Sequence, residues 1–286
     1  MKKFASILTA AVLCACTAAT AFADFNPGKS ISVVSREGGS GTRGAFIELF
    51  GIEEKDAEGN KTDRTTEEAI TVNSTEVVLT TVAGDESAIG YVSLGSLNES
   101  VKALKIDGAE ASAENIKAGT YTVSRPFNIA TKGEPTGLTK DFIDFILSAE
   151  GQTVVSDKYI AVNDEAQPYA GEKPEGKLVV VGSSSVSPVM EKLAEAYMAL
   201  NPAATIEIQT NDSTTGMKSA MDGTCDIGMA SRELKESEAA ELTPVVIALD
   251  GVAVVVNNAN PLEDATSAQI KSIFTGESKV WSDIIG

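Results

Sequence analysis

Histidine is absent from all 286 residues. That removes Ser-His-Asp catalysis, imidazole acid–base work and the usual zinc sites. Cysteine is nearly as scarce: two of the three lie in the first sixteen residues, so Cys225 is the only thiol left for the folded part and no intrachain disulfide can form. In Thr224-Cys225-Asp226-Ile227 it reads as a small buried hydrophobe. An excess of basic charge is also missing. With 23 Lys+Arg against 41 Asp+Glu the chain stands at −18, which argues against nucleic acid and against a basic membrane-docking face. A Walker loop, G-x-x-x-x-G-K-[ST], does not occur.

One long apolar run stands at the start. Lys2 and Lys3, the stretch from Phe4 to Cys16, and Ala21-Phe22-Ala23 before Asp24 read as an export signal with an A-x-A cleavage site. Leu13-Cys14-Ala15-Cys16 loosely resembles a lipobox, so lipidation at Cys16 is the competing expectation. Setting residues 1–23 aside removes two lysines and no acid, which takes the charge from −18 to −20. At 43% hydrophobic and 22% charged residues, the remainder describes a globular protein with ample core, as one large domain or two lobes.

Ile31 to Phe50, ISVVSREGGSGTRGAFIELF, reads as a strand, a glycine-rich turn and a helix. Gly38, Gly39 and Gly41 let the backbone approach a ligand, and a helix starting near Thr42 aims free N–H groups and its positive dipole end at the turn. Arg36 adds a planar fork suited to a tetrahedral oxyanion, and Ser40 and Thr42 add hydroxyls. A plain Ser/Gly connector is the other reading of this stretch. The design recurs twice, however. Lys177 to Val181 leads through Gly182-Ser183-Ser184-Ser185 into a helix opened by Ser187-Pro188, and Thr205 to Gln209 leads through Asp212-Ser213-Thr214-Thr215-Gly216 into Met217 to Met221. Three such turns together could surround one oxyanion with donors.

Other segments are read more simply. Gly51 to Thr66 is a charged surface insertion, Asn73-Ser74-Thr75-Glu76 caps a helix, and Ala88 to Leu94 and Tyr121 to Ala130 are strands. Phe142, Phe145 and Ile146 mark a helix, and Thr266-x-x-Gln269 caps another. Residues 163–176, NDEAQPYAGEKPEG, read as a linker or long surface loop.

Taken jointly, Gly182-Ser-Ser-Ser-Val-Ser-Pro188, Ser213-Thr-Thr-Gly-Met-Lys218, Asp226-Ile-Gly-Met-Ala-Ser-Arg232, Ile247 to Ala253, Ile273-Phe-Thr-Gly276 with Trp281, Arg36-Glu-Gly-Gly-Ser-Gly-Thr42 and Ala88 to Val92 resemble the extracytoplasmic phosphate-binding proteins of bacterial ABC importers. The resemblance covers essentially the whole mature chain. It implies an α/β, two-lobed periplasmic-binding-protein fold of type II, with residues 24–98 plus 259–286 as one discontinuous lobe and 99–258 as the other. In the family the GSSS half comes first; here the GSGT half leads. A circular permutation is therefore expected, with 163–176 bridging the family's usual ends.

The resemblance also implies the site. Ser184, Ser185, Ser213 and Ser231 donate to inorganic phosphate from one lobe, and Arg36, Ser40, Gly41 and Thr42 from the other. Ser231 is a departure, since some members carry there an Asp that accepts the proton of hydrogen phosphate; Glu37 and Asp212 are the nearest substitutes, and Arg232 could alter the charge balance. Implied further are the permease subunits of an ABC importer as partners, a monomer, an exported or surface location, no cofactor, no metal and no catalysis. Three alternatives stay open: a related binder of sulfate or molybdate, a surface adhesion or sensing protein that has lost transport, and a phosphatase using acidic metal ligands.

Overall fold

Alternating β-branched runs that end at small polar turns make most of the strands, and capped apolar-faced segments make the helices. The structure is a computed structural model that describes residues 25–285; the export segment, its cleavage site and Cys16 lie outside the described residues. The strands that build the main sheet are β1 (Ser32–Arg36), β2 (Ile70–Val72), β3 (Ala88–Ser93), β4 (Ser124–Thr131), β5 (Gly176–Ser183), β6 (Ala204–Asn211), β7 (Ile227–Ala230) and β8 (Thr243–Val256). They run side by side in the order β6-β5-β7-β4-β8-β3-β1-β2, and Lys102–Ala103 adds a short ninth strand against β8. Pairing is parallel within β1, β2 and β3 and within β5, β6 and β7, and antiparallel wherever β4 or β8 takes part in it. The fold is α/β with a curled mixed sheet.

Strand β8 explains why one sheet serves two cores. Its first part pairs with β4 from Thr243↔Thr131 to Gly251↔Ser124, with an irregularity between Val246 and Ala248, and its last five residues pair with β3. Side chains before that change-over, such as Ile247 and Ala248, pack with Phe127, Phe142, Phe145, Tyr197 and Met229. Those after it, Val252, Val254 and Val256, pack with Phe46, Tyr91, Phe274 and Trp281. The chain therefore passes between the two packed halves at 123–125 and 249–252.

These crossings lie inward of the lobe boundaries expected at 98/99 and 258/259. Val101 packs with the β1/β3 half, as do Leu104, Ile106, Tyr121 and Val123, and Lys102–Ala103 pairs with Val256 and Val255. The crossing strands run on without a loop, and Pro126 and Gly251 beside the passage interrupt neither of them.

Four helices matter for the site: α1 (Gly41–Leu49), α2 (Thr75–Gly84), α3 (Ser187–Leu200) and α4 (Ser213–Met221). Ser40, Ser74 and Asp212 cap α1, α2 and α4 by accepting from the N–H groups of Arg43, Val77 and Thr215. Pro188 stands in the first turn of α3, where its missing N–H costs nothing. Thr266 and Gln269 form the reciprocal capping box expected of them. The charged insertion contains a small hairpin, Glu53–Lys55 against Lys61–Asp63. Among the described residues no helix is long and apolar enough to cross a membrane.

Residues 163–176 have no regular structure before Gly176, yet they are no loose linker. Tyr169 packs edge-on to Phe145, and its hydroxyl donates to Asp141 Oδ2 at 2.6 Å. Tyr197 donates to the same oxygen at 2.6 Å, and the Glu172 N–H to Oδ1 at 2.9 Å. The Pro174 carbonyl accepts from Asn201 at 2.8 Å. Burial raises the Asp141 carboxyl, but the two tyrosine hydroxyls and the N–H groups of Glu172 and Lys173 outweigh it and hold the group below its ordinary 3.8.

Asp141→Ala is expected to cost on the order of 2–3 kcal/mol by stranding these donors, and to speed protease nicking within 163–176. Because the folded pKa is depressed, the same anchor is fully present above about 3.8 and is lost as pH falls through the folded value. Limited proteolysis of parent and variant at neutral pH, with cleavage sites mapped by mass, checks this; equal nicking rates would reject the anchor.

Candidate functional site

Parallel strands leave their C-terminal ends and the following helix N-termini at one edge, which is where α/β sheets collect ligand-binding groups. Here four such ends meet. Strand β1 ends at Arg36 and the turn delivers Ser40, Gly41 and Thr42 at the start of α1; α2 opens with Thr75. From the other half β5 ends at Ser183 and runs into Ser184 and Ser185, Ser213 opens α4, and Ser231 follows β7. All eight residues expected from the sequence, Arg36, Ser40, Gly41, Thr42, Ser184, Ser185, Ser213 and Ser231, are buried.

The structure brings them into contact across the two halves. Thr42 Oγ1 lies 2.8 Å from Ser185 Oγ and 3.3 Å from Ser231 Oγ. Arg36 Nη2 donates to Ser184 Oγ at 3.2 Å, and the Ser231 N–H donates to Ser213 Oγ at 3.1 Å. Ser40 is placed differently: its hydroxyl accepts from the Arg43 N–H, as the cap of α1. Gly41 packs so closely that a Cβ would overlap Ser213 Oγ and Ser231 Oγ of the other half. Next to it the Gly39 carbonyl accepts from both the N–H and the hydroxyl of Thr214, each at 3.1 Å.

The fork of Arg36 is already engaged on one edge. Its Nε and Nη2 donate to Glu37 at 2.8 and 2.7 Å, leaving the Nη1/Nη2 edge toward Thr75 Oγ1 and Ser184 Oγ. Tyr91 steadies this end of β1: its hydroxyl accepts from the Arg36 N–H at 3.0 Å, and its ring stacks on Phe46 at 3.9 Å. Glu37 is thus an ion-pair partner of Arg36. Asp212 accepts from the N–H and hydroxyl of Thr215, at 2.8 and 2.7 Å. Arg232 pairs with Glu238 through two bonds of 2.7 and 2.8 Å, so its charge is matched beside the cluster rather than within it.

Three participants were not expected from the sequence. Thr75 contacts Ser184 and Ser185 at 3.3 and 3.1 Å. Its signal was the Ser74 cap, which puts a helix N-terminus after a strand. The other two are Arg125 on β4 and Asp250 on β8, directly opposite each other in the register and both fully buried. Arg125 donates from Nε to the Ser231 carbonyl at 3.0 Å, from Nη1 to the Gly251 carbonyl at 3.1 Å and from Nη2 to Thr42 Oγ1 at 3.1 Å. Its Nη1 lies 3.2 Å from Asp250 Oδ2, while Asp250 Oδ1 accepts from the Gly95 N–H at 3.2 Å. Burial pushes the Asp250 carboxyl up to about 6 against the pull of Arg125. A single charged residue in each of two strands, one base and one acid, was the available signal.

Chemically, the cluster is a set of hydroxyls, N–H groups and two guanidiniums, each guanidinium balanced by its own carboxylate. Such a site has donors in excess and no net charge, which suits an anion with several acceptor oxygens. Residues next in sequence to Arg36, Thr75 and Ser213 line a cavity of about 290 Å³, formed by Glu37, Asn73, Ser74, Thr210, Asn211 and Asp212, whose two acids give an incoming anion no electrostatic steering. Among the described residues no group of three or more Cys, Asp and Glu side chains is placed to hold a metal ion.

Comparison with known proteins agrees with this chemistry. A PBP superfamily domain matches residues 3–150 and 167–286. Phosphate-binding protein PstS 2 of Streptococcus agalactiae serotype V is 56% identical over 257 residues, covering 89% of this chain and 88% of the relative. The protein of the same name from Streptococcus pneumoniae serotype 4 is 47% identical over 290 residues, 99% of each chain. A crystal structure of a phosphate ABC transporter's phosphate-binding protein from Streptococcus pneumoniae TIGR4 superposes with a TM-score of 0.71 at 50% identity, over 89% of this chain and 99% of that one.

Gly41→Ala tests whether the halves meet where the geometry places them. Alanine favours the first helical turn, so each half should keep its fold and melting temperature. The added methyl should hold the halves apart, visible as a larger radius of gyration in solution scattering; a parent-like radius would show that the contact is not at Gly41.

Proposed function

The chain belongs to the PBP superfamily and, within it, to the PstS phosphate-binding proteins, and from that we propose that it captures inorganic phosphate between its two halves and delivers it to an ABC importer. The observation that carries the reading is the meeting of Arg36, Thr42, Ser184, Ser185, Ser213 and Ser231 from both halves in one buried cluster. These residues, with the Gly41 backbone, bind the phosphate oxygens, and Ser40 contributes as the cap that orients the first turn of α1. Closure follows from the division of labour: either half alone satisfies only part of the oxyanion, so the ligand favours the closed arrangement.

The rest of the role goes with this reading. The protein is exported, works outside the membrane as a monomer handing phosphate to permease subunits, and catalyses nothing. Its chain order is a circular permutation of the family's other order, an idea supported by how close the described ends lie: Phe25 and Trp281 stack edge-on at 6.0 Å, and the Ser282 N–H donates to the Pro27 carbonyl at 2.7 Å. A second reading has its own observation. With Ser231 in the cluster and Glu37, Asp212 and Asp250 engaged with other partners, no unengaged carboxylate among the described residues near the cluster stands to repel sulfate.

Calorimetric titration of the ligand-stripped protein with phosphate, sulfate, arsenate and molybdate separates the two. Phosphate is expected to bind tightest, and failure of all four to bind would reject the receptor role. Arg36→Ala should weaken phosphate by roughly ten- to a hundredfold, the equivalent of about 1.5–3 kcal/mol for a charge-assisted hydrogen bond. Arg36→Lys should recover only part of this, because an ammonium cannot serve Glu37, Thr75 and Ser184 with one planar group.

A further inference from the structure

A hydroxyl carries one proton and two lone pairs, so a hydroxyl that accepts from a fixed donor has its proton left to give. Most hydroxyls of the cluster are fixed in this way. Ser213 Oγ accepts from the Ser231 N–H at 3.1 Å, and Ser184 Oγ from Arg36 at 3.2 Å. Ser231 Oγ accepts from Ser183 at 2.9 Å, which in turn accepts from the Ser185 N–H at 3.3 Å. For Thr42 the fixed donor is Nη2 of Arg125, at 3.1 Å.

Arg125 does more than fill a buried ion pair. Asp250 meets only its Nη1, while Nε and Nη2 go to opposite halves: the Ser231 carbonyl after β7 and the Thr42 hydroxyl on α1. It does so from the strand pair on which the chain crosses between the halves, where Asp250 stands directly opposite it. Its bonds to the Ser231 carbonyl and to the Thr42 hydroxyl are therefore both made only when the two halves are together.

Resting on the phosphate reading, we propose that Arg125 is a positioning residue for the anion: it holds the Thr42 hydroxyl as an obligate donor toward a phosphate oxygen, and it makes that orientation available only in the closed arrangement. The ligand oxygen beside Thr42 then serves as an acceptor. Asp250 keeps Arg125 at its post by matching its charge.

The test is a double-mutant cycle read by phosphate titration calorimetry on the mature chain. Arg125→Lys keeps the positive charge opposite Asp250, so it should melt close to the parent, but an ammonium cannot reach both Thr42 and the Ser231 carbonyl. Its phosphate affinity should fall roughly tenfold. Thr42→Val should fall by a similar factor, and the double variant should be no weaker than Thr42→Val by more than about twofold, because both remove one oriented proton. A purely structural role for Arg125 would add its full loss to that of Thr42→Val. Additive losses, or parent-like binding by Arg125→Lys, would overturn the proposal.

Should Arg125→Lys fail to fold, the paired replacement Arg125→Met with Asp250→Asn leaves no unmatched buried charge, and the same cycle with Thr42→Val applies to it with the same two outcomes. Loss of phosphate binding by the parent itself would instead sink the function on which the inference rests.

Discussion

Two guanidinium groups held out of water at one spot are tolerable only if each carries its own counter-charge, and the arrangement of the site follows from that requirement. Arg36 takes the adjacent Glu37 and Arg125 takes Asp250 across the strand pair. Pairing cancels charge without using up donors: after Glu37 is served, Arg36 still reaches Thr75 and Ser184, and Arg125 still reaches Thr42 and Ser231. An unpaired buried cation would shift its own cost onto the free protein, while an unpaired carboxylate facing the hydroxyls would repel an oxyanion that has no proton to offer. The observed solution avoids both.

The same pair ties the site to the architecture. Arg125 and Asp250 sit where β4 and β8 carry the chain from one core to the other, Phe127 and Ile247 on one side and Val123 and Val252 on the other. A group placed on the crossing strands can touch both halves without belonging wholly to either. Residues that come from one half alone, such as Arg36 or Ser213, reach the other only through the contact that closure makes.

What was legible in the sequence was what is local. Strand, small-polar turn and capped helix are written in consecutive residues, so the turns that hold Arg36, Ser40, Gly41, Thr42, Ser184, Ser185 and Ser213 could be placed between strand and helix, and the family resemblance then singled out those residues. Arg125 and Asp250 could not, because their meaning depends on the register that puts residues 125 apart in sequence opposite each other. The lobe boundaries were missed for a related reason: Leu104, Ile106 and Tyr121 belong to the first core through long-range packing that follows a polar, loop-like stretch. Segment 163–176 has a linker's composition, and only the buried acceptor Asp141, some thirty residues upstream, turns Tyr169 and Glu172 into anchors.

An acidic protein that binds an anion is less paradoxical once the two length scales are separated. Surface carboxylates act through solvent and are screened over about 8 Å at physiological salt, so a net charge near −20 slows encounter but does little to an anion already enclosed. Inside, the ligand meets oriented hydroxyls and N–H groups whose bonds strengthen as water leaves. Capture is therefore decided after entry, by whether both halves can bring their donors to the same oxygens. In the proposed site, selectivity then rests on the orientation of protons such as that of Thr42, and the groups that hold Arg125 in place count for as much as those that touch the anion.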